Sequence, residues 1–308
     1  MIQHVLSTLL GVIVPLSIPV LAGVLLGKFK RLDTGPLLML YLYFLSPAII
    51  LDTLATAEIS FDDVYKTLAF SLLNLLVLWA LSLILGKMLR LPQPEAAGLT
   101  LISTFTNSVN YGLPLVLLAF GQLGLDKASV YVIAQMVIVN TIGVYFAARS
   151  QFSVRSAVKS VFSLPSIYAA TLALLLRALQ LEMPQELAQG VSLAAGAYSP
   201  VVLAVLGAQM VKVNAAQTAR NVQLAFWTGL TVRLLLAPLI AALILWMLNI
   251  TGMLFSVLLI LASMPVAVNS VVLAERFGSS PSLVSRCIVW TTLASFAVLP
   301  VLIAVVGN

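Results

Sequence analysis

The chain has 308 residues, of which 61% are hydrophobic and 8% are charged, and its net charge is +6. A soluble domain carries roughly 25% charged residues, so the composition excludes a globular protein that faces water over most of its surface. The basic excess does not indicate nucleic-acid binding, because the basic residues lie in alternate loops between long apolar segments.

Apolar segments of membrane-spanning length recur along the whole chain. A bilayer core about 30 Å thick needs a helix of roughly 20 apolar residues. The sequence therefore predicts an all-α polytopic membrane protein with ten transmembrane helices and no large soluble domain. The predicted spans 1 to 10 are residues 5–27, 35–55, 66–88, 95–121, 127–148, 161–179, 187–211, 222–248, 253–275 and 284–305.

Lysine and arginine are distributed unevenly between the two sides that successive loops face. The loops after the odd-numbered spans hold twelve of the 16 basic residues: Lys28, Lys30, Arg31, Lys87, Arg90, Arg149, Arg155, Lys159, Lys212, Arg220, Arg276 and Arg286. The opposite side holds Lys66, Lys127 and Arg177 together with most of the acids. Basic loops face the cytoplasm. We therefore expect a multi-pass protein of the plasma (inner) membrane with both termini extracytoplasmic.

The two halves of the chain resemble each other. Ser46-Pro47 in span 2 is repeated as Ser199-Pro200 in span 7, and Pro114 in span 4 is repeated as Pro265 in span 9. Each half holds five predicted spans, and an odd number places the second half upside down in the membrane. Inverted repeats of this kind are typical of secondary transporters. The predicted repeats are residues 1–150 and residues 151–308.

Spans 4 and 9 combine helix-breaking residues with polar side chains. The predicted breaks lie at Gly112, Pro114 and Pro265, and the polar side chains are Asn107, Asn110 and Asn269. Proline removes a helical hydrogen bond, and the freed backbone groups need other partners in lipid. Two broken helices that cross near the midplane would present helix N-termini, which attract anions such as carboxylates. The alternative is a pair of proline kinks with a purely structural role.

A family resemblance follows from span 4. Residues 107–115, Asn-Ser-Val-Asn-Tyr-Gly-Leu-Pro-Leu, resemble the Asn-x-x-Asn-x-Gly-x-Pro signature of the auxin efflux carrier family, which includes plant auxin exporters and bacterial malate and malonate permeases. The resemblance implies a crossover fold like that of bile-acid symporters and sodium–proton antiporters. It also implies a scaffold of spans 1, 2, 6 and 7, a core of spans 3–5 and 8–10, elevator-like movement, organic-anion substrates and a homodimer.

The same resemblance implies roles for individual residues. Asn110 and Asn269 would face the substrate with Asn107 beside them, and Gln135 in span 5 is a looser match. Arg233 is the charge that our spans place well inside the membrane, where a charge is usually paired or functional. It either holds the core together through hydrogen bonds to helix ends or asparagines, or supplies a fixed positive charge for an anionic substrate.

Three functions remain open from the sequence. The first is a carrier of small organic anions, such as carboxylates or auxin-like acids. The second is a sodium-coupled organic-anion symporter of the bile-acid type. Sodium sites use carboxylates or several carbonyl oxygens, and the lack of acids beside the asparagines favours the first. The third is a non-transporting membrane receptor. No catalytic constellation, metal cluster or phosphate loop is visible, so we expect no enzyme, cofactor or metal.

Overall fold

The computed structural model describes residues 9–56, 60–143, 146, 162, 165–211 and 220–306. Over these residues the chain is all-helical, as predicted, and contains one isolated β-bridge but no strand. Within these described ranges, seven helices are long and apolar enough to cross a membrane. They are α1 (Leu10–Lys30), α2 (Gly35–Ala55), α3 (Phe61–Met88), α5 (Ser108–Ile138), α7 (Gln185–Val211), α8 (Arg220–Met247) and α11 (Pro281–Val306).

Shorter helices lie between the long ones. They are α4 (Gln93–Thr104), α6 (Pro165–Ala178), α9 (Gly252–Ala262) and α10 (Asn269–Phe277). Large apolar side chains such as Ile18, Leu72 and Leu239 are more than half exposed, which fits a surface in contact with lipid. The arrangement as ten spans in two inverted repeats stays a prediction.

Helix α3 begins five residues before the predicted start of span 3, at Phe61 rather than residue 66. Ser60 Oγ accepts a hydrogen bond from the backbone N–H of Asp63 at 3.0 Å, and the Asp63 carboxylate accepts one from the backbone N–H of Ser60 at 3.2 Å. This reciprocal capping satisfies two amides that a helix start otherwise leaves free. A charged first turn therefore extends the helix beyond its apolar part.

The predicted loop between spans 4 and 5 is replaced by a kink within α5. Gly121 has φ 67° and ψ −161°, a conformation open to glycine because it has no Cβ. Asp126, which we expected in the loop, is buried and only 5% exposed. It accepts a hydrogen bond from Gln122 Nε2 at 3.0 Å. A single glycine thus changes the chain direction where the composition suggested a polar connection.

Four π-helical turns each end two residues before a proline. The turns are Leu9–Ile13, Tyr41–Leu45, Ser108–Gly112 and Val232–Leu236, and the prolines are Pro15, Pro47, Pro114 and Pro238. Proline lacks an N–H group, and its ring clashes with the carbonyl four residues earlier. A turn with wider spacing relieves that clash. These prolines therefore lie within continuous helical segments rather than ending them.

The helices form two groups by mutual contact. One, the four-helix group, consists of α1, α2, α6 and α7. Its closest contact joins α1 and α7: a Cβ placed on Gly23 would lie 1.9 Å from the carbonyl oxygen of Ala204, and one on Gly207 would lie 1.9 Å from that of Val20. Small residues let membrane helices approach this closely. The other, the seven-helix group, consists of α3, α4, α5 and α8 to α11.

Candidate functional site

Two helix interruptions face each other inside the seven-helix group. The first, residues 105–107, separates α4 from α5, and the second, residues 263–268, separates α9 from α10. They pair through an antiparallel bridge between Thr106 and Val266. The backbone N–H of Asn107 donates to the carbonyl of Pro265 at 2.8 Å, and that of Ala267 donates to the carbonyl of Phe105 at 3.0 Å. The interruptions thus satisfy each other's backbone groups, as a lipid environment requires.

Both α5 and α10 begin at this crossing. Helix α5 starts two residues after Thr106, and α10 starts three residues after Val266. A helix N-terminus carries about half a unit of positive charge on its first N–H groups. Two N-termini close to the same bridge therefore create a positive potential without any charged side chain.

The opposite helix ends converge on Arg233, whose side chain is fully buried in α8. Its guanidinium donates to the carbonyl oxygen of Ser103 at 3.1 Å and also to that of Ala262. These carbonyls belong to the last turns of α4 and α9, where the helix dipole is negative. The guanidinium therefore compensates both C-termini, which is the helix-end contact of our first interpretation. The second interpretation, a charge that acts on the substrate, stays a prediction.

A cavity of about 70 Å³ opens at the crossing. Its described lining comes from both helix groups and contains no Asp, Glu, Lys or Arg. The lining residues are Tyr41, Leu42, Ser46, Thr106, Asn107, Ser108, Val109, Asn110, Gln135, Met136, Val139, Ser166, Ala267, Val268 and Asn269. The four residues predicted to bind substrate, Asn107, Asn110, Gln135 and Asn269, are thus brought together. Their contact with a substrate stays a prediction.

Several polar atoms around this cavity have no hydrogen-bond partner among the described residues. They include Asn107 Nδ2, Ser108 Oγ and Asn110 Oδ1. All three residues are buried, and none is more than 9% exposed. A buried polar group without a partner costs about 1–3 kcal/mol. The wall therefore holds both donors and acceptors that a polar ligand can satisfy.

Sequence reasoning missed the contribution of the four-helix group. The hydroxyl of Tyr41 lies beside the side chains of Asn110 and Asn269, and the hydroxyl of Tyr198 donates to the carbonyl of Val109 at 3.0 Å. The two tyrosine rings are 6.0 Å apart. A signal for them was present, because both tyrosines lie within a few residues of the repeated Ser-Pro pairs.

The predicted positions of the breaks need correction at Gly112 and Pro114. Both lie inside the helical part of α5, and the first interruption comes earlier, at residues 105–107. Pro114 follows a π turn that accommodates its ring. Gly112 serves packing instead, since a Cβ there would lie 2.7 Å from Leu261 Cδ2. Pro265 does lie in an interruption, so Pro114 and Pro265 are not structural equivalents.

Comparisons with known proteins agree with a transport role. A family model described as "Membrane transport protein" matches residues 4–303. A protein of Methanothermobacter thermautotrophicus named "Uncharacterized transporter" is 29% identical over 204 residues, which cover 66% of this chain and 66% of that protein. Since the family model covers nearly the whole chain, including both interruptions and the cavity between the helix groups, the protein belongs to the membrane transport protein family, that of the auxin efflux carriers.

Proposed function

We propose that the protein is a secondary carrier that moves small organic anions across the membrane by an elevator-type mechanism. The observation that carries the proposal is the placement of the helix ends. The N-termini of α5 and α10 meet at a cavity lined by asparagines, while Arg233 compensates the C-termini of α4 and α9. In this proposal the chain forms ten spans in two inverted repeats, with α4–α5 and α9–α10 as the crossing pair.

The charge balance of the crossing favours an anion. A favourably placed helix N-terminus stabilises a negative charge by up to about 2 kcal/mol. A hydrogen bond to a charged group contributes about 1.5–3 kcal/mol, and Asn107, Asn110 and Asn269 offer amide donors. No described lining residue is acidic, so the described part of the wall places no negative charge against a carboxylate.

The division of the cavity wall favours a carrier. The asparagines belong to the seven-helix group, whereas Tyr41, Ser46 and Ser166 belong to the four-helix group. The backbone bridge and the Arg233 contacts tie the crossing into one unit. If the seven-helix group moves as a body against the four-helix group, it carries the binding groups with it. The four-helix group is then the scaffold, and we place the homodimer contact there.

Arg233 also argues against the sodium-coupled alternative. Broken transporter helices use their C-terminal carbonyl ends to coordinate sodium. Here the guanidinium of Arg233 donates hydrogen bonds to the carbonyls of Ser103 and Ala262, so a sodium ion at these carbonyls would meet a fixed positive charge. We expect binding and transport that do not depend on sodium. A receptor role gains no support, because a receptor needs no site shared between two helix groups.

The test compares two asparagines that line the cavity with one outside it, in purified, reconstituted protein. Asn110→Ala and Asn269→Ala remove side chains from the cavity, whereas Asn74→Ala removes a buried asparagine of α3 outside it. Loss of one hydrogen bond to a charged ligand lowers affinity about tenfold to hundredfold. We expect that loss for Asn110→Ala and Asn269→Ala, a larger loss for Asn110→Asp, and little change for Asn74→Ala.

The readouts are propionate affinity and uptake of labelled propionate into proteoliposomes, each with and without sodium. Melting temperatures of the same samples separate loss of binding from loss of folding. Well-folded Asn110→Ala and Asn269→Ala proteins with unchanged affinity would remove the crossing from the binding site. A strict sodium requirement would instead favour the symporter.

A further inference from the structure

A pair of serine hydroxyls lies in the part of the cavity wall that the four-helix group contributes. Ser46 in α2 and Ser166 in α6 line the cavity, and their hydroxyl oxygens are 2.9 Å apart, so they form a hydrogen bond across 120 residues of sequence. The side chains are 1% and 4% exposed. Because both belong to the four-helix group, they form a polar patch that is separate from the helix N-termini.

The chemistry of two paired hydroxyls is specific. Each serine has one O–H donor and two acceptor lone pairs. Within the pair one hydrogen is used between the serines, which leaves one O–H donor and free lone pairs for a ligand. The pair can therefore donate to a keto oxygen or exchange hydrogen bonds with a hydroxyl. It offers no positive charge and too few donors for a second carboxylate.

The rest of the lining limits the ligand further. The lining also includes the apolar side chains of Leu42, Met136 and Val139. The cavity volume of about 70 Å³ is several times the roughly 10–15 Å³ that a cavity needs to hold one water. That space suits an acid of about three carbons. A second carboxylate beside the serine pair would lose its hydration without gaining a charged partner, which is unfavourable.

We propose that the cavity selects short monocarboxylates that carry a hydroxyl or keto oxygen, and that the Ser46–Ser166 pair forms a hydrogen bond with this hydroxyl or keto oxygen. The inference rests on the proposed function, because the carboxylate itself is held at the asparagines and helix N-termini. Propionate lacks a hydroxyl or keto oxygen and binds through the carboxylate alone. Malonate carries a second carboxylate in place of the hydroxyl or keto oxygen, and the serine pair cannot neutralise its charge.

The experiment measures affinities of L-lactate, pyruvate, propionate and malonate for the purified protein in nanodiscs. One neutral hydrogen bond corresponds to about 2- to 12-fold in affinity. We expect lactate, pyruvate or both to bind tighter than propionate by that factor, and malonate to bind weakest. Ser46→Ala and Ser166→Ala should remove the preference over propionate while leaving propionate affinity within about twofold.

Two other serines serve as matched controls. Ser71 and Ser129 are 1% and 4% exposed, and their hydroxyls donate to backbone carbonyls of their own helices. Ser71→Ala and Ser129→Ala should keep the preference. The ratio of two affinities is the readout, so a general loss of folded protein does not imitate the effect.

The outcomes separate the two proposals. Equal binding of lactate, pyruvate and propionate, or a preference that survives both Ser46→Ala and Ser166→Ala, overturns the serine assignment. In either case, propionate binding that still depends on Asn110 leaves the carrier proposal standing. Tighter binding of malonate than of propionate also overturns the monocarboxylate assignment. Absence of binding by all four acids overturns both proposals.

Discussion

Replacement of Arg233 tests the charge arrangement on which the crossing depends. The guanidinium is fully buried and holds the carbonyls of Ser103 and Ala262. Glutamine is shorter and neutral, so Arg233→Gln leaves both acceptors without their charged donor. A buried acceptor without a partner costs about 1–3 kcal/mol, which makes about 2–6 kcal/mol for two. Removing the buried charge recovers part of this cost, and we expect net destabilisation.

The assay is thermal unfolding of the purified variants in nanodiscs, with Arg220→Gln as the matched control. Arg220 lies on the same helix α8 but is exposed, and exposed substitutions usually change stability by less than about 0.5 kcal/mol. We expect a clearly lower melting temperature for Arg233→Gln than for Arg220→Gln. Arg233→Lys should be intermediate, because lysine keeps the charge but lacks the two-pronged guanidinium.

The same variants separate the two roles considered for Arg233. If the positive charge also acts on the bound anion, Arg233→Lys keeps propionate affinity while Arg233→Gln loses it. If the residue only holds the helix ends, affinity in the folded fraction of both variants follows the parent. An Arg233→Gln protein as stable as Arg220→Gln would refute the reasoning, since the helix ends would then be satisfied without the guanidinium.

Three further predictions concern packing, topology and assembly. Gly207→Ala should destabilise the protein by about 1–3 kcal/mol through overpacking of α1 against α7. Gly196→Ala in the same helix meets open space and should leave stability unchanged. Equal melting temperatures of the two variants would contradict the close contact between α1 and α7. A cysteine at position 308 should react with a membrane-impermeant reagent in intact cells while Arg155→Cys is protected, and the reverse pattern would invert the orientation. Native mass measurement in nanodiscs should give a dimer, and a monomer at every concentration would count against the scaffold contact.

The helices were predictable from the sequence where one continuous apolar segment forms one helix. Composition and length predicted α1, α3 and α7 because each is a long apolar segment of its own. The asparagines at the crossing were predictable because polar side chains are rare in such segments and need a reason to be there. The capped start of α3 shows the limit of this reasoning, since Ser60 and Asp63 start the helix five residues earlier than hydropathy alone predicts.

The position of the first interruption was not predictable from local sequence. Proline is the strongest helix breaker, yet the chain at Pro114 stays helical and the chain at Thr106 does not. The cause lies elsewhere in the molecule, because residues 105–107 exchange hydrogen bonds with residues 265–267. Backbone pairing between distant segments leaves no periodic pattern in either of them. Contact of Arg233 with helix ends was one of our two interpretations, but the individual carbonyls, those of Ser103 and Ala262, were not predictable for the same reason.

In the proposed carrier, different parts of the cavity wall determine affinity and selectivity. The asparagines and helix N-termini sit on the seven-helix group, and the serine pair sits on the four-helix group. If the first group moves with the substrate, the carboxylate keeps its contacts during the movement, while the hydroxyl or keto oxygen must leave the serines. Variants of the asparagines should therefore change the affinity for every acid, and variants of the serines should change the ranking of the acids. The two sets of variants thus test one geometry from both sides of the same cavity.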